Sequence, residues 1–527
     1  MSPHRTLTWL LPALLTLAVG LLGISTPELW RDELATWSAT SRNWPELFGM
    51  LGRVDASHGA YYLLMHVWSG LFGSSVPALR LPSALAMAGA AAFAALTARR
   101  VYGSGTAGLA AGLLLATVPT VSRYAQEARS YALVTCAVAA GSWLLLRALD
   151  RPTVGHWAWY GLAVAAGGVL HLVSLAALAG HAALVLTHRR SDHPVPDPTP
   201  TDPTPAHPDP TDPTPTSPAD ATPGFRRPTG PWLLTVLPAL LPAVPVALLG
   251  RSQSGRQLGW LGRPGAEELR LVWAGILDSH EVLSLFCLLA GLALLRPGRT
   301  RAAVRVLLLG TLPVVAVWLL SQGPSSYFLA RYLLFTVPAW AALAGGGVAA
   351  AVTAVARVAP RRLAAAVAVS LVLLSLALGA FPQLSMRQRY GHSGYVAFGS
   401  DDRDYRGAAA LVAAGYRPGD GIVPVAGEQA WAMVGPGIAY HLPSGVRPPP
   451  LLVERSAVQA DDLYPVECPA PAHCLGTAPR TWVVNLATVS DPLTGLTSAQ
   501  TVALRAEFTV ARVQYVRGLT VVLLVRR

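Results

Sequence analysis

Two adjacent carboxylates, Asp32 and Glu33, stand in the run Trp30-Arg31-Asp32-Glu33-Leu34-Ala35-Thr36-Trp37, directly after the first long apolar stretch. A carboxylate placed where a helix leaves a bilayer can take the proton of an acceptor hydroxyl. A merely solvated acidic pair is the plainer reading, and Trp30 and Trp37 weigh against it because they hold the pair at the headgroup level. A second polar group is Asp55-Ala56-Ser57-His58. Asp55 as a helix cap and His58 as an interfacial residue compete there with contact to a lipid phosphate or orientation of the catalytic carboxylate. Arg80, followed by Pro82 and Ser83, suits a phosphate. A third group is Arg123-Tyr124-Ala125-Gln126-Glu127-Ala128-Arg129-Ser130-Tyr131. Arginine at an outer junction runs against the usual charge bias, so Arg123 and Arg129 call for an anionic ligand or an internal pair with Glu127. Arg331, in Ala330-Arg331-Tyr332, repeats the pattern, and Arg251, Arg256 and Arg263 add positive charge nearby.

The elements that must position these groups are membrane helices. Of 527 residues, 52% are hydrophobic and only 13% charged, with mean hydropathy +0.43. A soluble chain of this size carries roughly a quarter charged residues. The net charge of +12 is all arginine, since there is no lysine. That balance admits nucleic acid as a partner, but most arginines flank apolar runs, where they set topology and meet anionic lipid, so no nucleic-acid partner is expected. The Ala, Arg, Gly and Pro bias without lysine points to a GC-rich bacterial genome. Apolar runs predict about eleven spans, at 7–26, 81–98, 106–122, 130–146, 156–171, 172–187, 231–250, 276–295, 302–321, 332–356 and 363–382. The first lacks a small-x-small cleavage site and reads as an uncleaved span. Asp278, His280 and Glu281 interrupt the span at 276–295, so its helix begins deeper or lines a cavity.

With a cytoplasmic N-terminus, the basic clusters at alternate junctions all fall on the cytoplasmic side, which puts Asp32, Glu33 and the C-terminal region outside. The same parity makes 60–72 a surface helix rather than a span, with Tyr61, Tyr62 and Trp68 at headgroup level. The first outer loop is therefore 27–80, with surface helices over 33–51 and 60–72. Residues 1–382 form the transmembrane domain. Within it, 191–228 is a disordered cytoplasmic loop rich in Pro, Asp and Thr, its repeats lying in 191–222. Residues 383–527 form a small extracytoplasmic α/β domain, with a helix at 407–414 and strands at Gly-Ile-Val-Pro-Val, Thr-Trp-Val-Val-Asn-Leu and Leu-Thr-Val-Val-Leu-Leu-Val. Cys468 and Cys474 suit a short-loop disulfide, with a zinc pair assisted by His473 as the weaker option. Cys136 and Cys287 read as small buried hydrophobes.

The runs WRDELATW, DASHGAYYLLMHVWSGLFG, ALRLPSALAM and SRYAQEARSYAL together resemble the bacterial GT-C class membrane glycosyltransferases, more narrowly the protein mannosyltransferase and aminoarabinose transferase group. The motif-bearing likeness covers about residues 7–150, and beyond it Arg331-Tyr332 is the best support. The resemblance implies an α-helical polytopic fold of GT-C type. It also implies an inverting transferase that moves a sugar, mannose foremost, from a polyprenyl-phosphate donor to an envelope acceptor on the outer face. That acceptor would be protein, lipoglycan or polysaccharide. It carries the base role to Asp32, with Glu33 as fallback, and places Glu127, Arg129 and Tyr131 near the donor phosphate. Asp55, His58, Arg80 and Arg331 complete the expected binding set. Where relatives have His-Pro-Pro-Leu-Tyr, this chain has His58-Gly59-Ala60-Tyr61. No cofactor is required, and a divalent cation is allowed. A transporter or flippase would instead place charges near mid-span and show repeated halves. A non-catalytic envelope assembly protein would tolerate loss of Asp32.

Overall fold

The computed structural model describes residues 3–188, 228–390, 403–425, 427–486 and 491–527. The Pro/Asp/Thr-rich repeats, Asp401 and Asp402 lie outside them. The first helix, α1 (Pro3–Leu21), leads into the segment 27–72, which holds α2 (Arg31–Thr40), α3 (Trp44–Arg53) and α4 (Gly59–Phe72). A single helix was expected over 33–51; the chain instead breaks at Asn43. Its side chain accepts from the Glu46 amide at 3.0 Å, the Glu46 carboxylate accepts from the Asn43 amide at 3.0 Å, and Pro45 sits in the first turn. These reciprocal caps start a new helix more favourably than they continue an old one. Helix α4 has almost the bounds expected for the helix at 60–72, and Leu64, Val67, Leu71 and Phe72 are exposed on it. Tyr61 and Tyr62, however, are fully buried, Tyr61 in an apolar core and Tyr62 against the polar partners described below.

The next helix, α5 (Val76–Tyr102), starts earlier than the span predicted at 81–98, so Arg80 lies inside it. Then come α6 (Gly105–Thr117), α7 (Pro119–Ala125), α8 (Tyr131–Asp150), α9 (Val154–Leu170), α10 (Ala177–Thr187), α11 (Thr229–Leu240), α12 (Ala243–Leu258), α13 (Ala266–Leu277), α14 (His280–Leu295), α15 (Thr300–Leu320), α16 (Val337–Val355) and α17 (Arg361–Tyr390). Among the described residues, five helical segments are long and apolar enough to cross a membrane, or up to eight if each bent pair is one span. The pairs are α6 with α7, α11 with α12 and α13 with α14; the last bends by 98°. That bend falls at Asp278, whose φ is 55°, and Ser279 then caps α14 through the Val282 amide at 3.1 Å. The other expected spans fall on the shorter helices α1, α9 and α10.

Helix α16 is the centre of the bundle, 83% buried over its most apolar window. In lipid, helices gain by close backbone contact more than by hiding apolar surface. The Gly345-Gly346-Gly347 run provides that contact: a Cβ on Gly347 would stand 2.0 Å from the Leu289 carbonyl oxygen, and one on Gly345 2.4 Å from that of Ala107. Helix α17 lies at the rim, 17% buried. Cys287 on α14 is exposed and Cys136 half-buried, so neither is the enclosed small hydrophobe expected. Alternate junctions do gather at common ends. Arg100 pairs with Asp150 and Arg305 donates to the Thr187 carbonyl at one end, while the acidic motif, residues 126–130 and Arg331 meet at the other.

Among the described residues, strands are confined to the C-terminal region. There α18 (Tyr405–Gly415), α19 (Val434–His441) and α20 (Ser498–Glu507) accompany β1 (Gly421–Pro424), β2 (Val453–Arg455), β3 (Val466–Glu467), β4 (Arg480–Leu486), β5 (Phe508–Val516) and β6 (Leu519–Arg526). The main sheet has order β1-β4-β6-β5, parallel between β1 and β4 and antiparallel elsewhere. Strand β5 was not anticipated: it is an exposed edge strand and lacks the apolar run that marks β6. Cys468 and Cys474 are disulfide-bonded.

One apolar core joins this region to the segment 27–72, combining Leu34, Leu47 and Tyr61 with Tyr405, Val412 and Trp482. Buried Glu28 adds a polar link, 3.6 Å from Arg406 and 3.9 Å from His441. Burial pushes the Glu28 carboxyl up to about 7 from 4.5. The folded state therefore holds this proton where the unfolded chain has released it. The resulting stabilisation is complete below about pH 4.5 and lost as pH rises through about 7. Glu28→Gln should remove that part of the pH dependence. In thermal melts, the variant is expected to gain on the wild type between about pH 5 and 8; a difference constant with pH would refute the assignment.

Candidate active site

Glu33 is locked. Its carboxylate accepts from Arg80 Nε at 2.7 Å and Nη2 at 2.6 Å, from the Ala128 amide at 2.8 Å and from the Trp30 amide at 3.4 Å. Arg80 also donates to the carbonyls of Ile24, Pro27 and Glu28, each at 2.9 Å. Both side chains are buried, 1% and 2% exposed. Every lone pair and N–H in this pair is committed to holding the loop before α2 against α5, so Arg80 meets Glu33 rather than a ligand phosphate.

The same closure at the start of α2 turns Asp32 the other way. Its side chain is 18% exposed, 3.7 Å from Arg31 Nε and 3.8 Å from Arg331 Nη2. Burial pushes the Asp32 carboxyl up, but the guanidiniums of Arg331, Arg129 and Arg31 outweigh it and hold it below the usual carboxylate range. Asp32 is thus an accessible carboxylate kept ionised by a cationic excess.

A closed polar ring stands beside it. Arg129 Nη1 donates to Tyr62 Oη at 2.8 Å and to the Asp32 carbonyl at 3.3 Å, and Tyr62 donates to Asp55. Asp55 lies 3.1 Å from His58 Nδ1, and His58 Nε2 lies 3.1 Å from Arg129 Nη2. Arginine can only donate, so His58 Nε2 accepts and Nδ1–H donates to Asp55. Burial and the Arg129 charge push His58 below its ordinary value, which matches this neutral tautomer. Asp55 has φ 60°, and that turn is held from outside: Gln253 on α12 bonds the Ala56 amide at 2.9 Å and the Leu51 carbonyl at 3.0 Å, while Gln257 donates to Asp55 at 3.1 Å. Asp55 and His58 therefore hold Arg129 in place.

Glu127 is buried near Arg123, with 3.9 Å between the charged atoms, and burial pushes its carboxyl up to about 7. Tyr131 packs with Tyr332 and His171, ring centroids 6.1 and 6.0 Å away. Among the described residues, Arg129 Nε and both Nε and Nη1 of Arg331 are buried without a hydrogen-bond partner. Guanidinium N–H groups left in that state fit the oxygens of an anion such as a phosphate monoester or diester. No group of three or more His, Cys, Asp or Glu side chains that could hold a metal ion occurs among the described residues.

The fold thus gathers Asp32, Asp55, His58, Glu127, Arg129, Tyr131 and Arg331 at one site and commits Glu33 and Arg80 to its frame. Arg256 pairs with Asp462 at 2.8 Å, and Arg251 and Arg263 are exposed, so this loop reaches the site through its glutamines. His171, Gln253 and Gln257 are not marked by the sequence motifs, whereas Tyr332 belongs to the Arg331-Tyr332 pair. The glutamines, four apart on a helix face, carry no charge to mark them. His171, a histidine closing an apolar run, was the one legible signal.

The family model for dolichyl-phosphate-mannose-protein mannosyltransferase matches residues 60–194. Two solved structures of ArnT from Cupriavidus metallidurans share the fold over 97% of both chains at 14% identity. They are the apo state, with TM-score 0.59, and the state bound to undecaprenyl phosphate, with TM-score 0.55. No curated protein sequence matches.

Proposed function

We propose that this chain, a membrane glycosyltransferase of the GT-C class, moves a sugar from a polyprenyl-phosphate donor to an envelope acceptor outside the cell, inverting the anomeric centre. The observation that carries the reading is an ionised, accessible Asp32 beside buried arginine N–H groups that have no protein acceptor. The likeness to a protein solved with undecaprenyl phosphate supports the donor class, and the matched family name favours mannose, with arabinose or another pentose as the second choice.

In this reading the donor phosphate lies against Arg331 and Arg129. Asp32 accepts the proton of the acceptor hydroxyl as its oxygen attacks the anomeric carbon from the opposite side. The carbon–oxygen bond to phosphate breaks, and its electron pair leaves with the phosphate oxygen, whose growing charge the guanidiniums stabilise. A carboxylate with a lowered pKa is a weak base, so proton transfer follows charge development at the anomeric carbon. The phosphate is already a stable leaving group, which limits the help required. A divalent cation has no assigned role. Protein, lipoglycan and polysaccharide remain the acceptor classes.

The direct test is transfer by the purified full chain from synthetic polyprenyl-phosphate mannose and arabinose to envelope fractions, with the product's anomeric configuration read by NMR. Inverted product from either donor is expected; absence of transfer from both would remove the reading. Arg331→Ala should weaken undecaprenyl phosphate binding roughly 10- to 100-fold, the loss of hydrogen bonds to a charged group. Titration by intrinsic fluorescence measures it, and unchanged affinity would exclude Arg331 from the phosphate site.

A further inference from the structure

Cations and aromatic rings alternate across the junction between the helical bundle and the C-terminal region. The Arg331 guanidinium lies 5.9 Å from the centroid of Trp30, and Arg31 lies 5.8 Å from the same ring. Arg31 is also 5.0 Å from the ring of Trp431, which has Arg403 4.9 Å away. All four separations are within cation–π range. Arg331, Trp30 and Arg31 belong to the helical bundle and the segment 27–72; Trp431 and Arg403 come from the C-terminal region. Arg31 joins the two halves, and its Nε is 3.7 Å from Asp32.

Trp431 is an unusual tryptophan for a core. It sits in the short turn Gly427–Ala432 and is 38% exposed, whereas Trp482 of β4 is 1% exposed. Arginine has many rotamers of similar energy, so a guanidinium left to solvent samples a wide volume. Contact with two indole rings confines it before any ligand arrives, which is the preorganisation that a charge beside a reacting group requires.

We propose that Trp431 is a positioning residue for the transfer reaction: it fixes Arg31 beside Asp32, so the catalytic carboxylate reaches its working state only when the C-terminal region is docked. This rests on Asp32 as the base. Besides Arg31, Asp32 faces Arg331, Arg129, His58, Glu127, Tyr131 and Tyr464. Of these only Tyr464 lies in the C-terminal region, and Trp431 touches none of them directly among the described contacts. Loss of Trp431 therefore acts on Asp32 through Arg31. Without the Trp431 ring Arg31 is less closely confined and stabilises the carboxylate less, so the pH at which Asp32 takes up a proton rises.

The experiment uses the full chain in nanodiscs and undecaprenyl phosphate as probe. Protonating Asp32 removes a negative charge beside the phosphate, so affinity steps up on the acid side. In Trp431→Ala that step is expected to move up by roughly one pH unit, while Trp431→Phe, which keeps an aromatic face, follows the wild type and controls for folding. Asp32→Asn should lose this step and keep only the changes that come from the lipid phosphate and Glu127, which every variant shares. In membranes of a deletion strain carrying its own donor, Trp431→Ala should slow transfer roughly tenfold and Trp431→Phe should restore it. A step unmoved in Trp431→Ala overturns the proposal, and so does an equal loss in Trp431→Ala and Trp431→Phe. If the step moves but Asp32→Asn still transfers sugar, the positioning holds and the base assignment fails.

Discussion

Asp32→Asn loses sugar transfer, by roughly 10²- to 10⁴-fold, and still binds undecaprenyl phosphate at least as tightly as the wild type. The two halves of this result have one cause. Asparagine has the shape of aspartate but cannot accept the proton of the acceptor hydroxyl at neutral pH. It also leaves Arg331, Arg129 and Arg31 without the carboxylate that now offsets their charge, so an incoming phosphate meets a more positive site. Transfer measured with a lipid-phosphate sugar, and affinity measured with the lipid phosphate alone, separate the two effects. Full activity in the variant would end the assignment of Asp32 as base. Weaker lipid binding in parallel with the lost activity would show that the substitution had disturbed the pocket instead.

The reverse pattern is expected one residue away. Arg80→Leu should destabilise the protein by about 3–5 kcal/mol, because it strands the Glu33 carboxylate in a buried site with no cation. It also removes the donors now bonded to the carbonyls of Ile24, Pro27 and Glu28, so the loop leading into α2 loses its fastening. Glu33→Gln keeps part of this network but leaves Arg80 uncompensated, and should be destabilised in the same direction. Pairing Glu33→Leu with Arg80→Leu recovers only part of the loss, since the three carbonyls stay without donors. Thermal unfolding of purified protein measures all three. Near-normal stability in Arg80→Leu would mean that the pair is solvated and free to serve the reaction.

These opposite expectations for Asp32 and Glu33 show where sequence reasoning stops. Adjacent acids in one motif look alike along a chain, and the family resemblance makes Glu33 the fallback base without separating it from Asp32 by environment. Successive residues of a helix point about 100° apart, so the turn that buries Glu33 against Arg80 sends Asp32 toward Arg331. The partners that decide this are 47 residues away for Glu33 and, for Asp32, at position 331. Arg80 illustrates the same point: its charge was legible, but its ligand proved to be a side chain of the protein.

The sequence by itself determined a membrane-spanning chain, the positions of its apolar helices, the separate short helix α4, the strands β1, β4 and β6, and a polar site built around Asp32, Glu127, Arg129 and Arg331. Hydrophobic runs and charge parity carry that information locally, because each apolar stretch must meet lipid or its neighbours wherever the chain goes. Tertiary structure alone decided which of two neighbouring acids is exposed, that Tyr62, Asp55 and His58 form a ring around Arg129, and that Gln253, Gln257 and Trp431 reach the site from distant segments. Those outcomes depend on side-chain direction and on contacts between residues far apart in the chain, and neither leaves a pattern in the order of residues.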